Sequence, residues 1–367
     1  MIQIVVPMAG RGSRFANAGF TIPKPLIPVG GKPMIQWVIE NVRPSQPHQF
    51  TFICLKEHLE NYPEVPQTLR SLCPGCHIVT VDKVTEGAAC TVLLAKEIIN
   101  HDDPLMIANA DQVVELKIDE YLAEMTQRQA DGLIMTFEAN HPKWSYCQLN
   151  PQSEVTLVVE KQVVSNEATV GIYNFRHGKD FVWAAEKMIQ LNLRSNGEFY
   201  VAPTYNLLIE KGARVVVART GREYEGMYGL GIPEDLSFFK TTQLYETGRV
   251  DQLPPPSAAE KLTALTQQYV TFFNQRNLAG ISALLAPDFC IEDAPDHRLE
   301  GKANALTYIN SIFQKYPQLS FVAHKIMADA TSSFIEFELK LGEKQWRGTD
   351  VLEWEGRHLK QLRAYLR

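Results

Sequence analysis

No stretch of this 367-residue sequence is apolar over anything near the length of a membrane span. Met1 leads straight into Ile2, Ile4, Val5 and Val6 with no basic-then-apolar leader, so a cytoplasmic protein that engages no membrane is expected. Positive charge is in deficit. The 36 Lys and Arg against 42 Asp and Glu leave a formal charge of −6, which argues against a nucleic-acid surface but leaves room for a local basic pocket. Cysteines are few and scattered, and only Cys73-Pro-Gly-Cys76-His77 is arranged as a motif. As a haem-attachment site it needs an exported chain, and as a zinc site it needs a second ligand pair that is missing. Reduced thiols in a turn are the expectation. Two nucleotide signatures are absent as well: no Gly-Lys-Ser/Thr closes a Walker A loop, and no third glycine completes the dinucleotide fingerprint.

What is present is concentrated in the first thirty-odd residues. Ile2 to Val6 is a nearly continuous apolar run, the pattern of a strand buried on both faces of a parallel sheet. Gly10, Gly12 and Ser13 follow, and so little side chain lets backbone N–H groups approach a polyphosphate. Arg11 and Arg14 add positive charge, and Lys24 adds a third cation between Pro23 and Pro25. A tight turn with solvated basic residues is the competing reading. The separate Pro-Lys-Pro behind the loop favours phosphate.

Gly10-Arg-Gly12-Ser-Arg14, Pro23-Lys24-Pro25 and Gly31-Lys32-Pro33-Met34 together resemble the sugar-phosphate nucleotidylyltransferase family, the nucleotide-sugar pyrophosphorylases. The resemblance extends over roughly the first two-thirds of the chain. It is nearer to members associated with capsule and surface-polysaccharide synthesis. It implies a Rossmann-like, mainly parallel α/β sheet and transfer of a nucleotidyl group from an NTP to a sugar phosphate, with release of pyrophosphate.

The strand and helix pattern agrees with that fold class. Strands are expected near 50–55, 78–81, 105–108, 133–137, 155–160, 170–175 and 215–218, with helices near 34–42, 88–99, 118–129, 181–191 and 202–211. Alternation of this kind makes a mainly parallel sheet whose ligands lie beyond the carboxyl ends of its strands. Length alone suggests two domains, and the Pro-Pro-Pro stretch marks the division. The expected organisation is 1–248, a linker over 249–258, and a smaller α+β domain over 259–367. In that last part helices precede three closing strands, an order that resembles the nuclear-transport-factor-2-like, or SnoaL-like, cone. The fold assigns no task by itself. Pairing of two copies through its open sheet face is expected, with Asp293, Tyr308 and Asp350 as an alternative small pocket.

The chemistry can be assigned residue by residue. Asp111 follows a buried strand, where a carboxylate either caps a helix or holds Mg²⁺ against nucleotide phosphates. The resemblance implies the metal role, Mg²⁺ being the one cofactor expected. It also implies a second metal-binding Asp where this chain has Gly229, so Asp111 acts with less protein help or Asp235 substitutes. Adjacent Glu160 and Lys161 read by themselves as a surface ion pair. The resemblance makes Lys161 the holder of the acceptor phosphate and Glu160, Gly171 and Glu198 the neighbours of its hydroxyls. Cys147 stands where the family has a glycine near the sugar, which puts the usual hexose phosphate in question.

Ala9, Gly10, Gly12, Ser13, Glu86 and Gly87 are the expected nucleotide contacts. Glu86 either accepts from a cytosine amino group or supplies charge at a helix N-terminus. The base leans to a pyrimidine, CTP ahead of UTP and dTTP. Arg14 and Lys24 are the expected catalytic cations. Three rival readings stand. One is cytidylyl transfer to a phosphorylated amine, amino acid or polyol. Another is a nucleotide-sugar glycosyltransferase, for which Asp102-Asp103 is a poor metal motif. The third is a non-catalytic nucleotide-binding module.

Overall fold

The computed structural model describes residues 1–248, 250, 257–293 and 298–366. The chain divides into two compact units, Met1–Pro233 and Glu234–Arg367.

The first unit is built on an eleven-stranded sheet. Its first strand, Ile2–Met8, lies between His48–Leu55 and Leu105–Ala108 and is parallel to both. His77–Val81 adds a fourth parallel strand outside His48–Leu55. The first strand is buried on both sides, as its sequence predicts: Ile2, Ile4, Val6 and Met8 join one apolar core, while Val5 joins the other. Glu167–Phe175 then enters antiparallel to both of its neighbours, Leu105–Ala108 and Gly132–Glu138. Val215–Glu223 runs parallel to Gly132–Glu138, and Gly226–Gly229 and Gln112–Val114 close that edge. A hairpin of Ser145–Leu149 and Val155–Glu160 attaches to Glu167–Phe175.

Helix Met34–Val42 has the expected bounds and buries Met34, Trp37, Val38 and Val42, with Ile35 and Ile39 as well. The helix expected over 88–99 is two, Ala88–Leu93 and Lys96–Ile99. Lys32 belongs to the fold rather than to a phosphate site. It is buried, its Nζ lies 2.5 Å from Glu40 Oε2, and it sits 4.0 Å above the Trp37 ring.

In the second unit, helices Ala258–Gln275, Leu278–Leu284 and Lys302–Lys315 accompany a six-stranded sheet. Ser257 and Glu260 form a reciprocal cap at the start of the first of these. Three strands were too few. Leu285–Asp293 contains Pro287 and Asp288, which break its alternation, and its pairing with His358–Leu366 shifts register between Leu285 and Cys290. Arg298–Glu300 and Ser320–Ala328 supply the other two.

Residues 234–248, expected with the first domain, fall in this unit: Phe238 packs 6.2 Å from the Phe272 ring, and Glu246 pairs with Lys261 at 3.0 Å. Most of the expected linker, residues 249 and 251–256, lies outside the described residues, as does the side chain of Asp293. Tyr308 and Asp350 do line a cavity of about 400 Å³, together with Tyr269, Phe273 and Trp346.

Candidate active site

Ile2–Met8 and Leu105–Ala108 are adjacent and parallel, so the segments that leave their carboxyl ends emerge side by side. One is the glycine-rich loop and the other is Asn109-Ala-Asp111. Gly12 has φ +62°, a conformation that places it at the start of the short helix Ser13–Asn17. A Cβ added there would stand 3.3 Å from the Cβ of Lys24, so the loop packs directly on the Pro-Lys-Pro segment. Lys24 opens a single 3₁₀ turn, Lys24–Leu26, with Pro23 before it and Pro25 after it. From that position its Nζ reaches Asp111 Oδ2 at 2.5 Å, with both side chains partly open to solvent. Ala9 is buried at the strand end, while Gly10, Ser13 and Arg14 are exposed. Arg14 has no ion-pair partner among the described residues.

The strand carrying Gly229 runs beside Asp111. Gly229 pairs with Gln112, and Leu230 N–H donates to the Asp111 carbonyl at 2.6 Å. A Cβ on Gly231 would stand 3.1 Å from Asp111 Oδ2. Asp235 belongs to the other unit. Among the described residues no three His, Cys, Asp or Glu gather into a metal cage. Asp111 is paired through Oδ2 with Lys24, yet as a single, partly exposed carboxylate it remains a donor that fits Mg²⁺, which binds one or two carboxylates and completes its shell with substrate phosphates and water.

Beyond Asp111 lies a cavity of about 300 Å³, lined by Asn109, Gln112, Lys143, Trp144, Ser145, Glu160, Lys161, Thr169, Gly171, Tyr173 and Tyr200 among others. Glu160 and Lys161 do not pair as a surface couple. Glu160 accepts a hydrogen bond from Ser145 Oγ, and Lys161 Nζ bonds Tyr200 Oη at 2.9 Å. Lys161 takes φ +56°, and its N–H donates to the Trp144 carbonyl at 3.0 Å. Burial pushes the Glu160 carboxyl above its ordinary value. The Ser145 bond and Lys161 oppose that rise, and Glu198 adds to it. Lys161 is held above its ordinary value chiefly by the Tyr200 hydroxyl, against the effect of burial, with Glu160 and Glu198 assisting. Glu198 is exposed and acts on both groups through its charge.

Gly171 has φ +99°, and a Cβ there would run into Asn109 Nδ2 and come within 2.7 Å of Gln112 Oε1. Asn109 N–H in turn donates to the Gly171 carbonyl at 2.9 Å. Cys147 is fully buried in the core rather than in the cavity lining, and burial drives its thiol far above the ordinary range. The departure from the family's glycine therefore does not reshape the cavity wall at that side chain. Glu86 does not stand as a free charge at the helix start: its carboxylate accepts from Arg194, and its carbonyl takes Phe199 N–H at 2.9 Å. Gly87 and Ala89 follow, with Ala89 N–H on the Phe199 carbonyl at 3.0 Å. The six cysteines are free thiols. Burial pushes Cys54 up to about 12 and Cys73 up to about 11.

Sequence reading missed Asn109, Gln112, Lys143, Trp144, Ser145 and Tyr200 as cavity residues. Asn109 and Gln112 flank Asp111, which was the available signal. Lys143 offered none, because its partner Glu223, 2.5 Å away and buried, is eighty residues distant in sequence.

Comparison with known proteins bears on the family and the fold. The Nucleotidyl transferase family matches residues 4–192, just over half the chain, and a SnoaL-like domain matches residues 266–361. A crystal structure described as a nucleoside-diphosphate-sugar pyrophosphorylase from Vibrio cholerae RC9 is 25% identical. It covers 64% of this chain and 98% of its own, with a TM-score of 0.56. UTP–glucose-1-phosphate uridylyltransferase AglF of Haloferax volcanii is 23% identical over 64% of this chain and 93% of its own length. The Bifunctional protein GlmU of Methanocaldococcus jannaschii is 25% identical over 47% of this chain, and this chain spans only 40% of that relative. No helix among the described residues is long and apolar enough to cross a membrane. With its glycine-rich loop, Lys24 and Asp111 gathered at one sheet edge, and its family match spanning that whole region, this chain belongs to the nucleotidyl transferase family.

Proposed function

We propose that the chain transfers a nucleotidyl group from an NTP to the phosphate of a sugar, releasing pyrophosphate and yielding an activated sugar. The observation that carries this reading is the contact of Lys24 with Asp111 at 2.5 Å, beside the Gly12 loop and next to a cavity that contains Lys161. An oxygen of the acceptor phosphate attacks the α-phosphorus in line, and the bond to the β-phosphate oxygen breaks. The nucleophile is already ionised at pH 7, so no general base is required. The protein's part is to position two polyanions and to balance their charge.

Backbone N–H groups from Ala9 to Ser13 hold the triphosphate. Arg14 and Lys24 face the α-phosphoryl group and the departing pyrophosphate, and Lys161 holds the attacking phosphate. Asp111 would hold Mg²⁺, which when bound neutralises triphosphate charge. Glu160 and Glu198 serve the acceptor beside Gly171.

The base is a pyrimidine in this reading. The lean to CTP, which came from Glu86 as an acceptor for a cytosine amino group, gains no support from that residue, because Arg194 occupies its carboxylate. The product would feed capsule or surface-polysaccharide synthesis in the cytoplasm. The second domain pairs two copies through its sheet, on whose strands Val322, Met327, Tyr365 and Leu366 are exposed. Light scattering of the full chain tests that pairing, and a monomer mass discards it. Four NTPs screened against a panel of phosphates, read by pyrophosphate release, test the reaction. Release in the presence of one acceptor class supports it, and hydrolysis of a UDP-sugar without such release would favour the glycosyltransferase rival.

A further inference from the structure

The second unit carries a cavity that nucleotidyl transfer leaves unused. It encloses about 400 Å³ between helices Ala258–Gln275 and Lys302–Lys315 and one face of the six-stranded sheet. That volume suits a small organic molecule. Its walls are apolar and largely aromatic. The rings of Phe273, Phe321 and Phe337 follow one another along it, with successive centroids 5.6 Å and 4.8 Å apart. Tyr308 and Trp346 are half-buried and Lys315 is exposed, its Nζ 5.4 Å above the Tyr316 ring, so these residues mark the mouth.

Asp350 breaks this pattern. It lies on strand Lys344–Glu355, in the middle of the sheet, with Ile335 and Ala364 as its partners on the two flanking strands. Ile335 is fully buried, as is Leu352 two residues along, and Asp350 itself is only 4% exposed. A carboxylate set into an apolar face costs folding free energy, and such groups gather at binding sites. Among the described lining residues Asp350 is the only acid and Lys315 the only base.

This chemistry disfavours the reactants of nucleotidyl transfer. An NTP or a phosphorylated acceptor would bring several negative charges against apolar walls and towards a carboxylate, with one exposed lysine to balance them. A molecule with a positive head and an apolar body suits the whole lining. Its ammonium pairs with the carboxylate through charge-assisted hydrogen bonds, ring faces favour its charge, and its body displaces water from the phenylalanines.

We propose that the second domain binds a small organic cation, an amine with an aromatic or alkyl body, whose ammonium meets Asp350. The ligand is neither substrate nor product of nucleotidyl transfer. This inference stands apart from the transferase reading, and each can fail without the other.

The test is calorimetric titration of the full-length chain with benzylamine, 4-phenylbenzylamine and octylamine, each set against the alcohol of the same skeleton. At least one amine should bind with a Kd below about 1 mM. Its alcohol should bind about 10-fold more weakly or worse, the difference between a charge-assisted and a neutral hydrogen bond. In Asp350→Asn, which keeps the shape and removes the charge, that preference should fall to about twofold or less. Tyr308→Leu should weaken the amine about fivefold while leaving the carboxylate in place, so it reports on the cavity even where Asp350→Asn does not fold.

Failure of all three amines to bind below that limit overturns the proposal, and so does an alcohol that binds as tightly as its amine. Both results are read on the unaltered chain. A full preference for the amine in Asp350→Asn puts the ligand elsewhere and overturns it too, as does an unchanged affinity in Tyr308→Leu.

Discussion

Lys24 Nζ stands 2.5 Å from Asp111 Oδ2, although 87 residues separate them in sequence. The fold makes this contact in two steps. Parallel pairing of Ile2–Met8 with Leu105–Ala108 brings the two following segments to the same edge, and the packing of Gly12 on Lys24 sets the lysine against the carboxylate. In the proposed reaction this cation would exchange its carboxylate for a phosphate of the NTP.

Replacing Lys24 by alanine should therefore separate stability from turnover. Both partners reach solvent, so loss of the ion pair should change unfolding free energy by no more than about 1 kcal/mol. Loss of one charge-stabilising contact should lower the rate of pyrophosphate release about 100-fold or more, on the order of 3 kcal/mol. Urea unfolding and steady-state kinetics on the same preparation check both. A rate within a few-fold of wild type would remove Lys24 from the catalytic set.

Gly171→Ala should fail in the opposite manner. The backbone there has φ +99°, and the added Cβ would meet Gln112 Oε1 at 2.7 Å as well as Asn109. A destabilisation of roughly 1–3 kcal/mol is expected from the backbone conformation alone. The KM for the acceptor should rise more than that for the NTP. A variant as stable as wild type, with both constants unchanged, would show that the two amides do not close over the glycine.

Glu160 makes folding pH-dependent, and the sign can be worked out. Its carboxyl is raised in the folded state above the ordinary 4.5, mainly by burial, so the native chain holds its proton longer than the unfolded chain does. The stability linked to that proton is complete below about 4.5. It is lost as pH rises through the raised folded value. In Glu160→Gln the side-chain amide still accepts from Ser145 but does not ionise. The melting temperature of the variant relative to wild type should thus climb from pH 4 towards pH 7. A constant difference across that range would mean that the carboxyl is not raised.

Lys161→Met should raise the KM for the acceptor about tenfold or more, the effect of removing a bond to a charged group, with little change in the KM for the NTP. Lys161 Nζ is anchored only on the Tyr200 hydroxyl among the bonds described, so no buried charge is orphaned. Equal effects on both substrates would mean that Lys161 serves the triphosphate.

Elements with their own periodicity were legible in the sequence. Ile2–Val6 reads as doubly buried and is so, and Met34–Val42 presents its apolar face at helical spacing and matches residue for residue. Gln112–Val114 and Gly226–Gly229 were not, because three or four residues carry no local period and each exists as a strand only through the other. The same limit hid Leu285–Asp293, whose proline and aspartate mask a strand that its partner His358–Leu366 defines. In the candidate site, Lys24 stood out by its place between two prolines, whereas Asp111, Glu160 and Lys161 were singled out only by the family resemblance. Partners did not stand out: the link of Glu86 to Arg194 spans 108 residues, and that of Lys143 to Glu223 depends on a distant strand.

The most direct measurement follows the α-phosphorus itself. The full-length protein is incubated with each α-³²P-labelled NTP, with and without a hexose 1-phosphate panel, and the labelled products are separated. Label should move into a nucleotide-sugar only when an acceptor is present, in step with pyrophosphate, and Arg14→Ala should slow that transfer about 100-fold. Label that stays in the NTP with every acceptor, or that appears as free nucleotide at the same rate without one, would contradict the account.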